Sequence, residues 1–128
     1  MDILVVEDDW DLCNGIAEFL EDLGYRVGRA YDGRQALDLS QRGHPRLILL
    51  DLMLPGMSGW EVARALRAMP PLHNTPVVVI TAMPNLADEA RRLGAVALLE
   101  KPFTLNDLVE QVRRCLPQDP PPRASSPD

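Results

Sequence analysis

The chain is poor in cysteine, with only Cys13 and Cys115 in 128 residues. Each falls within a helical pattern among apolar neighbours, and no histidine stands near either in sequence. That excludes a disulfide framework and a zinc site of ordinary spacing, and it reads as two reduced, partly buried thiols. Long apolar runs are missing as well: none approaches the roughly 20 residues that span a bilayer. Met1-Asp2 leads straight into Ile3-Leu4-Val5-Val6 and then into acids, which is too short for the apolar core of a signal peptide. The expected location is therefore cytoplasmic. There is no basic excess either. Lys and Arg number 13 against 19 Asp and Glu, a net charge of −6 and a pI near 4.8. A general nucleic-acid binder needs a basic face, so that class is disfavoured. No internal repeat is visible.

What is present is a regular alternation. Hydrophobic residues make up 46% of the chain, enough for one domain with one core. Ile3-Leu4-Val5-Val6 reads as a buried strand that runs into Glu7-Asp8-Asp9. Leu12, Ile16, Phe19, Leu20 and Leu23 follow at helical spacing, with Asp8 or Asp9 as cap and Gly24 as stop. Tyr25–Ala30 alternates weakly, like an edge strand, and Asp32-Gly33 signals a turn. Arg34–Gln41 reads as a second helix that Gly43 and Pro45 end. The fully apolar run Leu47-Ile48-Leu49-Leu50 closes on Asp51, and Pro55-Gly56 turns the chain after it. Ser58 caps a third helix carrying Val62, Leu66 and Met69, which Pro70-Pro71 ends. Pro76–Ile80 is a fourth strand with Thr81 at its end, and Leu86–Leu93 is a short helix stopped by Gly94. Val96–Leu99 is a fifth strand, followed by Glu100-Lys101-Pro102-Phe103. Thr104 then caps a last helix with Leu105, Leu108, Val109, Val112 and Leu116 on one face. The domain is expected to cover 1–116. The remainder, 117–128, is rich in Pro and Ser and reads as a disordered tail or linker.

Strands alternating with helices predict an α/β fold: a parallel sheet with helices on both faces and right-handed crossovers. The first, third, fourth and fifth strands are apolar throughout, the pattern of burial on both faces. In such a sheet all the strand ends lie on one edge, where open α/β folds bind their ligands. Glu7, Asp8, Asp51, Thr81 and Lys101 therefore converge from four separate segments, with Asp9 beside them. Clustered carboxylates repel one another unless a cation intervenes. Oxygen ligands without thiolate or imidazole suit a hard ion, and Mg²⁺ takes one or two carboxylates while recruiting a phosphate. A hydroxyl and a mobile ammonium beside them suit an oxyanion. The set fits phosphoryl transfer, and Asp51 is the candidate nucleophile. Trp10 follows the acids directly, so its indole is expected near the site.

These residues resemble the receiver domain of bacterial two-component response regulators. The resemblance rests on Leu4-Val5-Val6-Glu7-Asp8, Asp51-Leu52-Met53-Leu54-Pro55-Gly56-Met57-Ser58-Gly59, Thr81-Ala82 and Lys101-Pro102-Phe103, in that order and rough spacing. It implies a flavodoxin-like fold of five βα units with strand order 2-1-3-4-5. It implies phosphorylation of Asp51 by a histidine kinase or phosphotransfer protein, and signalling through a downstream effector protein. By the same carry-over Mg²⁺ is bound by Asp8 and Asp51 directly, by Glu7 through a water and by the backbone carbonyl of Met53. Thr81 and Lys101 would contact the phosphoryl oxygens, and the Lys101-Pro102 bond is expected to be cis. Asp9 reads as a helix cap rather than a ligand. The resemblance implies a monomer or a phosphorylation-dependent dimer, with no direct hold on nucleic acid or membrane. It also implies a protein that catalyses only its own phosphoryl transfer and dephosphorylation.

Two departures stand out. The family usually has an aromatic residue three before the lysine, where this chain has Leu98, and the loop Thr81–Leu86 is short and stiffened by Pro84. Three other readings compete. A magnesium phosphatase with an aspartyl-phosphate intermediate needs a second acid two residues after the nucleophile, and Met53 stands there. A pseudo-receiver acting as a phosphorylation-independent binding module is disfavoured by intact Asp8, Asp51, Thr81 and Lys101. A receiver fragment of a DNA-binding regulator is compatible with the Pro-rich end.

Overall fold

The computed structural model describes residues 1–117. The elements run β1 Ile3–Val6, α1 Trp10–Asp22, β2 Val27–Ala30, α2 Gly33–Gly43 and β3 Leu47–Asp51, followed by α3 Gly59–Arg67, β4 Val77–Thr81, α4 Ala87–Arg92, β5 Ala97–Glu100 and α5 Leu105–Cys115. A single 3-10 turn, Pro70–Leu72, lies between α3 and β4. The strands form one sheet in the order β2-β1-β3-β4-β5, with every pairing parallel. This is the expected α/β architecture. Of the segment read as a tail, residues 118–128 lie outside the described residues.

The sheet is buried on both faces because its strands are apolar at successive positions, and successive side chains point to opposite sides. Leu4, Val6, Ile48, Leu50, Val77 and Val79 pack on one side against Ala36 of α2, Val62 and Leu66 of α3, and Ala90 of α4. Ile3, Val5, Leu47, Leu49, Val78 and Ile80 pack on the other against Cys13, Ile16 and Leu20 of α1, and Leu108 and Val112 of α5. Each large aliphatic side chain fully removed from water contributes about 1.5–3 kcal/mol. This two-sided core fixes the strand ends, and with them the site.

Four helices begin on a side chain that accepts an orphan backbone N–H: Asp9, Asp32, Ser58 and Thr104. Ser58 with Glu61, and Thr104 with Asp107, close full capping boxes. Asp32-Gly33, expected as a turn, is instead the cap and first residue of α2. Gly43, expected to end that helix, is its last residue, and His44 takes the left-handed conformation at φ 46°. Gly43 is small for another reason: a Cβ there would stand 2.4 Å from Cε of Met1. β5 also differs from expectation. It begins one residue late, leaving Val96 58% exposed, and only Leu99 of its four residues is buried. It is an edge strand, and an apolar run does not by itself distinguish an edge from the sheet interior. α4 spans six residues, with Leu86 before it offering no side-chain cap.

One glycine has no reason inside the fold. Gly15 lies mid-helix in α1, exposed, and a Cβ there would meet nothing within 4 Å. Helix interiors favour Ala over Gly by about 1 kcal/mol. Gly15→Ala is therefore expected to raise stability by about 0.5–1 kcal/mol, read as a higher denaturant midpoint at unchanged slope.

Candidate functional site at the strand ends

Parallel register brings the functional side chains together. Val6 pairs with Leu50, so one residue further on Glu7 and Asp51 stand side by side. Thr81 closes β4 opposite Glu100, and Lys101 follows at the end of β5. Glu7 and Asp51 are almost wholly buried, Thr81 is fully buried, and Asp8 is exposed. Glu7, Asp8 and Asp51 each offer one carboxylate oxygen, all within 4.8 Å of one another. Lys101 Nζ donates to Glu7 Oε1 at 2.7 Å and to Asp51 Oδ2 at 3.0 Å. The Lys101-Pro102 bond is cis, and the Lys101 amide donates to the Thr81 carbonyl at 2.8 Å.

Backbone amides complete the cage. Asp9 N–H donates to Glu7 Oε2 at 3.0 Å, and Met53 N–H donates to Asp51 Oδ1 at 2.8 Å. Thr81 Oγ1 accepts from Met83 N–H at 3.0 Å, which ties the β4–α4 loop to the site. Asp9 itself caps α1 by accepting from Leu12 N–H, so the sequence alternatives for the cap resolve in its favour over Asp8. Leu98 is half-buried against the core layer that holds Leu86 and Ala90. Beyond Lys101 an apolar groove of about 510 Å³ runs between α1 and the β5–α5 loop, over Leu12, Ile16, Phe19 and Phe103.

The electrostatics follow from this crowding. Burial pushes the Glu7 carboxyl from 4.5 up to about 7; Lys101 and the Asp9 amide pull it down, and neighbouring Asp51 pushes it further up. Burial pulls the Lys101 ammonium down, but its bonds to Glu7 and Asp51 outweigh that and hold it above its ordinary value. A carboxyl whose pKa is raised on folding keeps its proton longer in the folded chain than in the unfolded one. Its contribution to stability is complete below pH 4.5 and declines as pH rises to about 7. At ~1.4 kcal/mol per pH unit the decline is about 3 kcal/mol. The metal-free protein is therefore expected to lose stability between pH 5 and about 7, and Glu7→Gln should flatten that slope in denaturant titrations across the range.

The donor set fits a hard divalent cation. It is all carboxylate oxygen, three acids share one small volume, and an ammonium already neutralises two of them from one side. Exposed Asp8 leaves the cluster open to solvent on its side.

The sequence matches the response regulator receiver domain family over residues 3–113. The chain belongs to the response regulator receiver family. The receiver is 38% identical over 120 residues to the Escherichia coli transcriptional regulatory protein HprR, covering 92% of this chain and 52% of that protein. It thus spans about half the length of the curated relatives it matches. Among solved structures it resembles the Vibrio cholerae chemotaxis response regulator CheY4, with a TM-score of 0.84 at 30% identity, over 89% of this chain and 97% of that one. It is similar to the receiver domain of the Pseudomonas aeruginosa sensor histidine kinase PA1611, solved with a magnesium ion coordinated in the active-site cleft. There the TM-score is 0.82 at 30% identity, over 91% of this chain and 97% of that one.

Lys101, named from the sequence, is also the one lysine among 13 basic residues, a compositional signal that points to it independently. One feature of the receiver's site escaped the sequence reading. Gly59, quoted above only as part of a motif, carries a steric constraint. A Cβ there would lie 2.4 Å from Leu52 Cα and 2.5 Å from the Asp51 carbonyl oxygen. The start of α3 is thereby seated directly on the phosphoacceptor candidate's own backbone. Trp10, expected near the acids, is 64% exposed and stacks on Tyr31, with ring centroids 5.4 Å apart.

Proposed function

We propose that this receiver accepts a phosphoryl group on Asp51 from a phosphohistidine on a histidine kinase or phosphotransfer protein. The observation that carries the reading is Lys101, whose ammonium bridges Asp51 and Glu7 at the mouth of a three-carboxylate cluster. In the reaction an Asp51 carboxylate oxygen attacks phosphorus. The donor's P–N bond breaks, and the departing imidazole regains a proton. Met53 N–H holds the other Asp51 oxygen and so orients the nucleophile. Lys101 and the Thr81 hydroxyl take the oxygens of the arriving phosphoryl group. Asp8 and Asp51 would hold Mg²⁺ directly, Glu7 through a water and Met53 by its carbonyl, and the ion would supply charge neutralisation at the phosphoryl oxygens. The chain acts on no other substrate: it catalyses its own phosphorylation and the hydrolysis that ends it.

The output lies with a partner. The effector in this reading is another domain, as in a DNA-binding regulator, or a separate protein in the cytoplasm. Leu98 in place of an aromatic side chain supports a different route from Asp51 to that effector, through Thr81 and the Met83 amide it holds. Among the described residues no helix is long and apolar enough to cross a membrane.

The test is chemical mapping. An aspartyl phosphate is a mixed anhydride, so hydroxylamine attacks its carbonyl and leaves a hydroxamate on the acceptor. After Mg²⁺-dependent loading from a small phosphodonor, the hydroxamate is expected on the peptide containing Asp51. A hydroxamate on any other peptide, or none after verified loading, contradicts the proposal.

A further inference from the structure

Arg67 closes α3 with a guanidinium that engages three carbonyls and, among the described residues, no carboxylate. Its Nη1 donates to the Thr75 carbonyl at 2.9 Å and to the His73 carbonyl at 3.2 Å, just ahead of β4. Its Nη2 donates to the Gly94 carbonyl at 3.0 Å, in the turn between α4 and β5. Gly94 is left-handed at φ 81°, and a Cβ there would stand 3.1 Å from Arg67 Nε. Burial pulls the Arg67 pKa down, and no acid offsets that cost. One planar fork thus ties the end of α3 to two loops. Both loops lie at the starts of their strands, the far side of the sheet from Asp51.

The other end of the same helix is seated on the site. Gly59 N–H bonds the Leu52 carbonyl at 3.0 Å, and a Cβ on Gly59 would lie 2.5 Å from the Asp51 carbonyl oxygen. Between these ends Val62, Ala63 and Leu66 are buried on the sheet. Nine residues make a rod of about 14 Å. A helix so short and so well packed moves as a body, because packed interiors change between discrete arrangements and do not deform smoothly. What Arg67 holds is more yielding. β5 is an edge strand with only Leu99 buried, Val96 before it is 58% exposed, and α4 spans six residues without a side-chain cap. Segments with few buried contacts are the ones whose populations a small bias can change. β5 itself carries aliphatic Leu98 where the family usually has an aromatic residue.

We infer that α3 is a second route from Asp51 to the α4–β5 corner, beside the one through Thr81: Gly59 seats it on the phosphoacceptor and Arg67 clamps it to Gly94. This rests on the receiver reading above. Phosphorylation crowds the end of β3, α3 shifts on its seat, and Arg67 carries that shift to the start of β5. Arg67 positions the corner and takes no part in the transfer.

The test is amide NMR on the isotope-labelled full chain, before and after loading from a small phosphodonor with Mg²⁺. The Met53 and Met83 amides, which bond Asp51 and Thr81, report the site. The Gly94 and Val96 amides report the corner. In wild type both pairs are expected to shift. In Arg67→Met the Met53 shift and the phosphoryl uptake should stay as in wild type, while the Gly94 and Val96 shifts fall to about half or less. Arg67→Lys keeps the charge but lacks the fork that spans Thr75 and Gly94, so it should show the same loss. It also serves where Arg67→Met does not fold. A mere staple would lower stability and leave the phosphorylation-induced shifts at Gly94 and Val96 intact, and that result overturns the proposal. So do corner amides that stay still in a wild type whose Met53 amide moves. A wild type that takes up no phosphoryl group, with Met53 unmoved, tells instead against the receiver reading, so the two failures are distinguishable.

Discussion

Lys101→Met is expected to cost the metal-free protein about 3 kcal/mol. The ammonium it removes lies 2.7 Å from Glu7 and 3.0 Å from Asp51, both carboxyls being almost fully buried. Removing one partner of a buried ion pair is expensive because the other charge is left in a poor solvent. Lys101 is about a quarter exposed, which places the cost at the lower end of that range. The loss has a signature that a packing defect lacks. A divalent cation can take over the neutralising role, so Mg²⁺ is expected to restore stability, by about 2.7 kcal/mol at a hundredfold excess over its Kd. The variant should also bind Mg²⁺ more tightly than wild type, since the competing ammonium is gone. Denaturant titrations with and without Mg²⁺ check both points. A Mg²⁺ affinity equal to that of wild type would mean that Lys101 serves packing rather than charge.

Gly59→Ala is the second large effect, and its origin is steric. The new methyl carbon would lie 2.4 Å from Leu52 Cα and 2.5 Å from the Asp51 carbonyl oxygen. Both obstacles are backbone atoms, which cannot turn aside as a side chain would. The first turn of α3 is also tied to the end of β3 by the bond from Gly59 N–H to the Leu52 carbonyl at 3.0 Å. Either α3 lifts off the strand or the strand end moves. Overpacking of this kind costs about 1–3 kcal/mol, and rigid surroundings favour the upper part. Because the strain falls on Asp51 itself, phosphoryl uptake is expected to slow at least tenfold even where the variant is fully folded, a rise of about 1.4 kcal/mol in the barrier. Stability by denaturation and uptake rate by mass, measured on one preparation, separate the two effects. Unchanged uptake in a folded variant would show that the seat of α3 does not position Asp51.

The contrast between these residues shows what a sequence can reveal here. β1, β3 and β4 were legible because each is a dense apolar run that ends abruptly in a polar residue, and parallel topology then places those ends on one edge. That single step assembled Glu7, Asp8, Asp51, Thr81 and Lys101 from segments up to 94 residues apart. The bonds among them were not legible, since which oxygen Lys101 meets depends on strand register and on the path of one loop. Gly59 stands in sequence only as the end of a motif, whereas its constraint is a contact with the backbone of Leu52, seven residues earlier. β5 misled for a different reason. Val96 belongs to the apolar run but lies outside the strand, and Glu100 is inside it, because at an edge the pattern no longer reports burial on both faces. The ends of α2 were hidden in a similar way. Asp32-Gly33 carries turn chemistry and cap chemistry in the same two residues, and only the path of the chain decides between them.

The most direct measurement is intact mass after incubation with a small phosphodonor and Mg²⁺, on wild type and on Asp51→Asn. A gain of one phosphoryl group is expected in wild type, none in Asp51→Asn and none in wild type with chelator. A gain that persists in Asp51→Asn, or its absence in a wild type shown separately to bind Mg²⁺, would contradict it.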